Sequence, residues 1–153
     1  MKNAWVSKIM IITLVGGLCL VGYGLAHAVK PIKPRFSVLN NDPTWVLDKT
    51  TALQWQLTPG LGGGDHPSAS AYCANLGGGS RLPEIIELIS LVDYSMRNPA
   101  LPDGHPFQSV QGVYWTATSV VGGKSPNWWI VDLDSGSVNS GNPDAKIPAW
   151  CVR

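Results

Sequence analysis

Ala69-Ser70-Ala71-Tyr72-Cys73-Ala74-Asn75-Leu76-Gly77-Gly78-Gly79-Ser80-Arg81-Leu82-Pro83 runs a short helix into three glycines and restarts the chain at a proline. Asp65 and Pro67 stand where a helix begins, and Ala69 to Leu76 suit its body. Gly77-Gly78-Gly79 ends it, because glycine enters the left-handed region without steric cost. A second helix is expected from about Pro83. Glu84 and Glu87 fall early, where the helix dipole favours negative charge. Ile85, Leu88, Ile89 and Val92 recur at helical spacing and supply its buried stripe.

On both sides of these helices the chain is strand-like. Upstream, Phe36 to Leu39 reads as a strand ended by Asn40-Asn41-Asp42-Pro43. Trp45-Val46-Leu47 and Leu53-Gln54-Trp55-Gln56, separated by Asp48-Lys49-Thr50-Thr51, read as a hairpin. Downstream, Val113 to Thr118 and Trp128 to Leu133 are strand-like, and Asp134-Ser135-Gly136 turns the chain into Ser137-Val138. Ala149 to Arg153 reads as a last strand. Gly60 to Gly64 lacks the Lys-Ser/Thr ending of a phosphate cradle and reads as a connection. The expected fold is α+β: a small, loop-rich single domain of two helices and short antiparallel strands.

The N-terminus carries Lys2 and Lys8, then no charge from Ile9 to Ala26, then Ala26-His27-Ala28. A basic start, an apolar middle and an A-x-A exit predict a cleaved secretory signal over residues 1–28. The rival reading is an uncleaved anchor, the one route by which this chain would meet a membrane. Lys30-Pro31-Ile32-Lys33-Pro34-Arg35 is basic and proline-spaced, so residues 29–41 are expected to form an extended linker before a domain over 42–153. Cleavage leaves 125 of the 153 residues. It also removes two of the 11 basic residues, leaving 9 against 10 acidic ones and moving the net charge from +1 to −1. No field remains to favour nucleic acid. Cys19 departs with the signal, so Cys73 and Cys151 have one intramolecular pairing in an oxidising compartment. The protein is accordingly expected in the periplasm, at the cell surface or secreted.

Five segments in order carry a family resemblance: Asp48 to Gln56; Ala71 to Leu76 leading through the glycines into Arg81-Leu82-Pro83; Tyr114-Trp115-Thr116-Ala117-Thr118; Trp129 to Gly136; and Cys151-Val152-Arg153. Together they resemble the bacterial domain family typified by the C-terminal domain of the Legionella collagen-like protein. Ala52 stands where that family usually has Gly, Ser80 where it has Trp, and Trp150 where it has Arg. The resemblance implies a C-type-lectin-like flavour to the fold and use at the cell surface. It also implies adhesion through sulfated polysaccharides, and a homo-trimer. The near-neutral charge of the cleaved chain weighs against the polyanion part of that expectation.

Candidate binding residues follow from the aromatic load and from the family pattern. Trp55, Trp115 and one of Trp128 and Trp129 suit the core. The other member of that pair, and Trp150, are expected to be exposed and able to stack on sugar rings. Arg81 and Arg153 could receive a sulfate or carboxylate. Burial against an internal acid such as Asp48, Glu84 or Asp132 is the favoured reading for both. Asp132, Asp134 and Asp144 lack the triplet a lectin calcium site presents. His66 and His105 lack zinc spacing. No nucleophile elbow is present, and carboxylate pairs for glycoside hydrolysis are spatial rather than sequential. No catalytic residue, metal or cofactor is therefore assigned. The expected function is an exported, non-catalytic binding or adhesion module for a polysaccharide or envelope protein. The alternative is a structural envelope or appendage subunit.

Overall fold

The computed structural model describes residues 34–60, 64–122 and 126–153; the expected signal over residues 1–28 and most of the basic proline-spaced stretch lie outside them. A first antiparallel sheet joins β1 (Phe36–Val38), β2 (Trp45–Asp48) and β3 (Gln54–Gln56) in that order. Its register sets Val46 between Val38 and Trp55. The β2–β3 turn is organised by Asp48, whose carboxylate accepts from the Thr50 amide at 2.9 Å and the Thr51 hydroxyl at 3.0 Å. Asp48 is fully buried, and the Arg35 guanidinium grips it through Nε at 2.9 Å and Nη2 at 2.6 Å. Burial pushes this carboxyl up, but the Arg35, Thr50 and Thr51 hydrogen bonds outweigh it and hold the group below its ordinary value. Arg35 and β1, which fall in the stretch expected to be linker, thus belong to the fold.

At the corner of this turn Ala52 has φ +63°. An L-residue there is unfavourable by roughly 1–2 kcal/mol, which glycine avoids at some entropic cost. Ala52 is exposed, so no packing is lost on changing it. Ala52→Gly is expected to stabilise the domain by about 1 kcal/mol, read from urea unfolding. A destabilisation would mean the turn is not strained at Ala52.

Helix α1 (His66–Asn75) starts three residues before the alanine run, with Asp65 as N-cap accepting from the Ser68 amide at 2.9 Å. Hydrogen bonds from Ser68, then Lys146, hold the Asp65 carboxyl down at about 2. The helix ends where Gly77, Gly78 and Gly79 all take positive φ. Helix α2 (Ile85–Ile89) is shorter than its apolar stripe suggested. Glu84 and Glu87 form a capping box at its start, and at its end the Ser90 hydroxyl binds the Glu87 carbonyl. Arg35 takes the Ser90 carbonyl at 2.8 Å, so that group does not serve a further turn.

The second sheet runs β4 (Val113–Ser119), β5 (Trp128–Asp132), β6 (Ser137–Gly141), again antiparallel in chain order. The β5–β6 turn needs Gly136: its φ is +77°, and a Cβ there would sit 2.7 Å from Val92.

The last five residues are the keystone. Trp55 and Arg81 each form a β-bridge with Val152. Gln54 exchanges main-chain hydrogen bonds with Arg153, and Arg81 with Val152, all at 2.9 Å. This tail behaves as a strand with both faces buried. Trp150 and Val152 enter one cluster with Trp55, Tyr114, Phe107, Leu88 and Phe36, while Ala149 and Cys151 enter the other with Trp45, Cys73, Leu82 and Trp115. Cys73 and Cys151 are bonded, their Cα atoms 5.4 Å apart across 78 positions of sequence.

Candidate functional site

The tertiary structure disperses the aromatic and basic candidates. Trp150, expected at the surface, is fully buried, and its indole N–H donates to the Gln56 carbonyl at 2.9 Å. Phe107, Tyr114 and Trp55 pack around its ring and close it from solvent. Trp128 is half-buried and stacks on His66 at 4.0 Å between ring centroids. Trp129 is half-buried too, on the other face of β5. Arg81, expected to be buried against an internal acid, is exposed instead and pairs with Glu87: two 2.7 Å hydrogen bonds join the guanidinium to the carboxylate and raise the Arg81 pKa. No contiguous aromatic-basic patch forms from these residues.

Arg153 is the candidate that reaches a site. Its Nε donates to Gln54 Oε1 at 2.9 Å, Nη2 lies 3.1 Å from Asp42 Oδ2, and its guanidinium carbon sits 4.2 Å from the centre of the Trp45 ring. These contacts aim the group along one wall of an open cleft of about 480 Å³. Its apolar lining includes Leu57 and the exposed Leu76 at the end of α1. The rim carries Thr44 and Thr58, both exposed. Gly78 is required beside it: its φ is +61°, and a Cβ would approach Arg153 Nη1 to 3.2 Å. The Asp42 carboxylate also accepts from the Thr44 hydroxyl at 2.6 Å. That bond, then Arg153, holds its pKa below the ordinary value.

Asp42, Thr44, Thr58 and Leu76 were not singled out by sequence reasoning. Asp42-Pro43-Thr44 reads as turn chemistry, and only the pairing of the tail with β3 brings Arg153 beside it. Elsewhere, the Asp132 carboxylate is engaged in its own turn, accepting from the Asp134 amide and the Ser135 hydroxyl at 2.8 Å each. Among the described residues no three His, Cys, Asp or Glu side chains converge as a metal would require.

His66 is structural. It is buried between Trp128 and Trp115, with Nε2 2.9 Å from the Thr116 carbonyl. The carbonyl requires Nε2 to carry the proton. Burial pushes the His66 pKa down, and burial does the same to His105. The unfolded chain, titrating near pH 6.5, therefore binds more protons than the folded one as pH falls. Stability should be full above about pH 6.5 and fall as pH drops through the folded-state values. Urea unfolding between about pH 7 and about pH 5 should show this loss, before the carboxylates take over at lower pH. His66→Gln should flatten the profile, and a profile unchanged by it would contradict the assignment.

No curated protein sequence matches the chain. The family match is nonetheless extensive, covering residues 44–153, the whole span from β2 to the tail that carries Arg153. On that match the chain belongs to the Lcl C-terminal domain family.

Proposed function

We propose that this domain is an exported, non-catalytic binding module whose ligand seats in the Asp42–Arg153 cleft. The cleft carries the reading. Its volume of about 480 Å³ lies in the range of small-ligand sites, and it joins an apolar wall to a few convergent polar groups. Export is supported by the Cys73–Cys151 bond, since disulfides persist in oxidising compartments. The natural ligand class in that setting is a glycan or another envelope component. Isothermal titration against an oligosaccharide panel tests this, with Thr58→Trp to fill the exposed rim. We expect binding by the native chain and a loss of at least about tenfold in the variant, with its melting temperature unchanged. Binding that is indifferent to Thr58→Trp would reject the cleft.

A structural role through protein partners is the second reading, favoured by one observation. Ile86, Tyr94 and Val121 are large apolar or aromatic side chains with 71%, 68% and 93% of their surface exposed. Cross-linking in whole cells separates the two, because a specific protein adduct without any glycan affinity would favour the structural role.

A further inference from the structure

We infer that the cleft selects an uncharged, hydroxyl-rich ligand, a neutral sugar residue, and rejects sulfated or carboxylated ones. This rests on the cleft being the binding site and names the class of its ligand.

The charge in the cleft is already balanced. Among the described residues Arg153 is its single cation, and Asp42, 3.1 Å away, neutralises it. Two of its nitrogens are engaged, Nη2 by Asp42 and Nε by Gln54, and its face lies on Trp45. An arriving sulfate would meet the Asp42 carboxylate beside the guanidinium, and would have to displace it or be repelled. A polyanion also needs successive cations along its length, and the surface offers few. Of the six described Lys and Arg residues, Arg35, Arg81, Lys146 and Arg153 are all in ion pairs. The other two, Lys49 and Arg97, donate to the carbonyls of Pro34 and Ser135, and neither lines the cleft.

What the cleft does offer suits a polyol. Asp42 Oδ2 accepts one hydrogen bond, from Arg153, and retains a lone pair. Arg153 Nη1 makes no hydrogen bond among the described residues, so an acceptor and a donor stand side by side, as two adjacent sugar hydroxyls require. The exposed Thr58 hydroxyl both donates and accepts. Leu57 and Leu76 also line the cleft and supply apolar surface for the C–H face of a pyranose ring. Gln56 also lines the cleft, where its amide donates to the Tyr72 hydroxyl and accepts from the Cys151 amide.

The test is calorimetry on the chain with two probe sets. One set is neutral gluco-, manno- and galacto-oligosaccharides; the other is heparin and dextran sulfate. Each is run at about 50 mM and about 500 mM sodium chloride, the upper value screening exposed charge within a few ångströms. We expect a neutral oligosaccharide to bind with an affinity that changes less than about twofold with salt. Asp42→Asn keeps the shape and one acceptor oxygen but removes the charge, and should weaken that binding about tenfold. Thr58→Trp, away from the ion pair, should abolish it and guards against a folding effect of the first variant. Heparin or dextran sulfate bound in the cleft, lost at high salt and blocked by Thr58→Trp, would overturn the ligand class while leaving the cleft as the site. No binding by either set, or binding that ignores both variants, would overturn the cleft reading itself.

Discussion

Trp150→Ala is expected to destabilise the domain by about 3–5 kcal/mol. The indole is fully buried, with Phe107, Tyr114 and Trp55 centroids 4.9, 5.3 and 5.8 Å from its own. Alanine would leave a cavity that this aromatic cage cannot collapse to fill. It would also strip the Gln56 carbonyl of its 2.9 Å donor. Trp150→Phe keeps most of the packing and loses only the N–H, so its cost should be nearer 1–2 kcal/mol. Urea unfolding of both variants checks the pair. A loss below about 1 kcal/mol for the alanine variant would show that the tail is not central to the core.

Removing the disulfide as Cys73→Ser with Cys151→Ser should cost a comparable amount. Closing a loop across 78 positions restricts the unfolded chain by roughly 4–5 kcal/mol in the chain-entropy account. The folded state loses as well, because both cysteines are buried in the cluster that holds Trp45, Leu82 and Trp115. For a domain of this size the melting temperature should fall by on the order of 15 °C. A drop under about 5 °C would mean that the main-chain pairing of the tail holds it without the bond. The consequence extends to the cleft. Arg153 lies two residues beyond Cys151, so a loosened tail should weaken ligand binding more than Ala52→Gly or His66→Gln would.

These two predictions concern the segment where sequence and structure parted. Ala149-Trp150-Cys151-Val152 is a continuous apolar run, the mark of a strand buried on both faces. Trp150 was expected at the surface, whereas this apolar run points inward. The arginines divide differently. That Arg81 would be paired with an acid was legible, since it abuts a helix start; that the acid is Glu87 was not. Glu87 reaches back within the capping box, where its carboxylate also accepts from the Glu84 amide at 2.7 Å. Asp48, one of the acids expected to face Arg81 or Arg153, belongs instead to Arg35. The partner of a long, flexible guanidinium depends on which loops arrive beside it, and no local pattern encodes that.

Local chemistry explains what the sequence determined by itself. Helix stops at glycines, turns at Asp-Lys-Thr-Thr and Asp-Ser-Gly, alternation in the strands and a lone pair of cysteines are short-range signals. From them follow two helices, two antiparallel hairpins, the α+β class and the Cys73–Cys151 bond. The tertiary structure alone decided which tryptophans are inside, because burial depends on what packs against both faces of a strand. It alone assembled the cleft as well. Asp42 and Arg153 are 111 positions apart, and only the tail's pairing with β3 brings their charges within 3.1 Å.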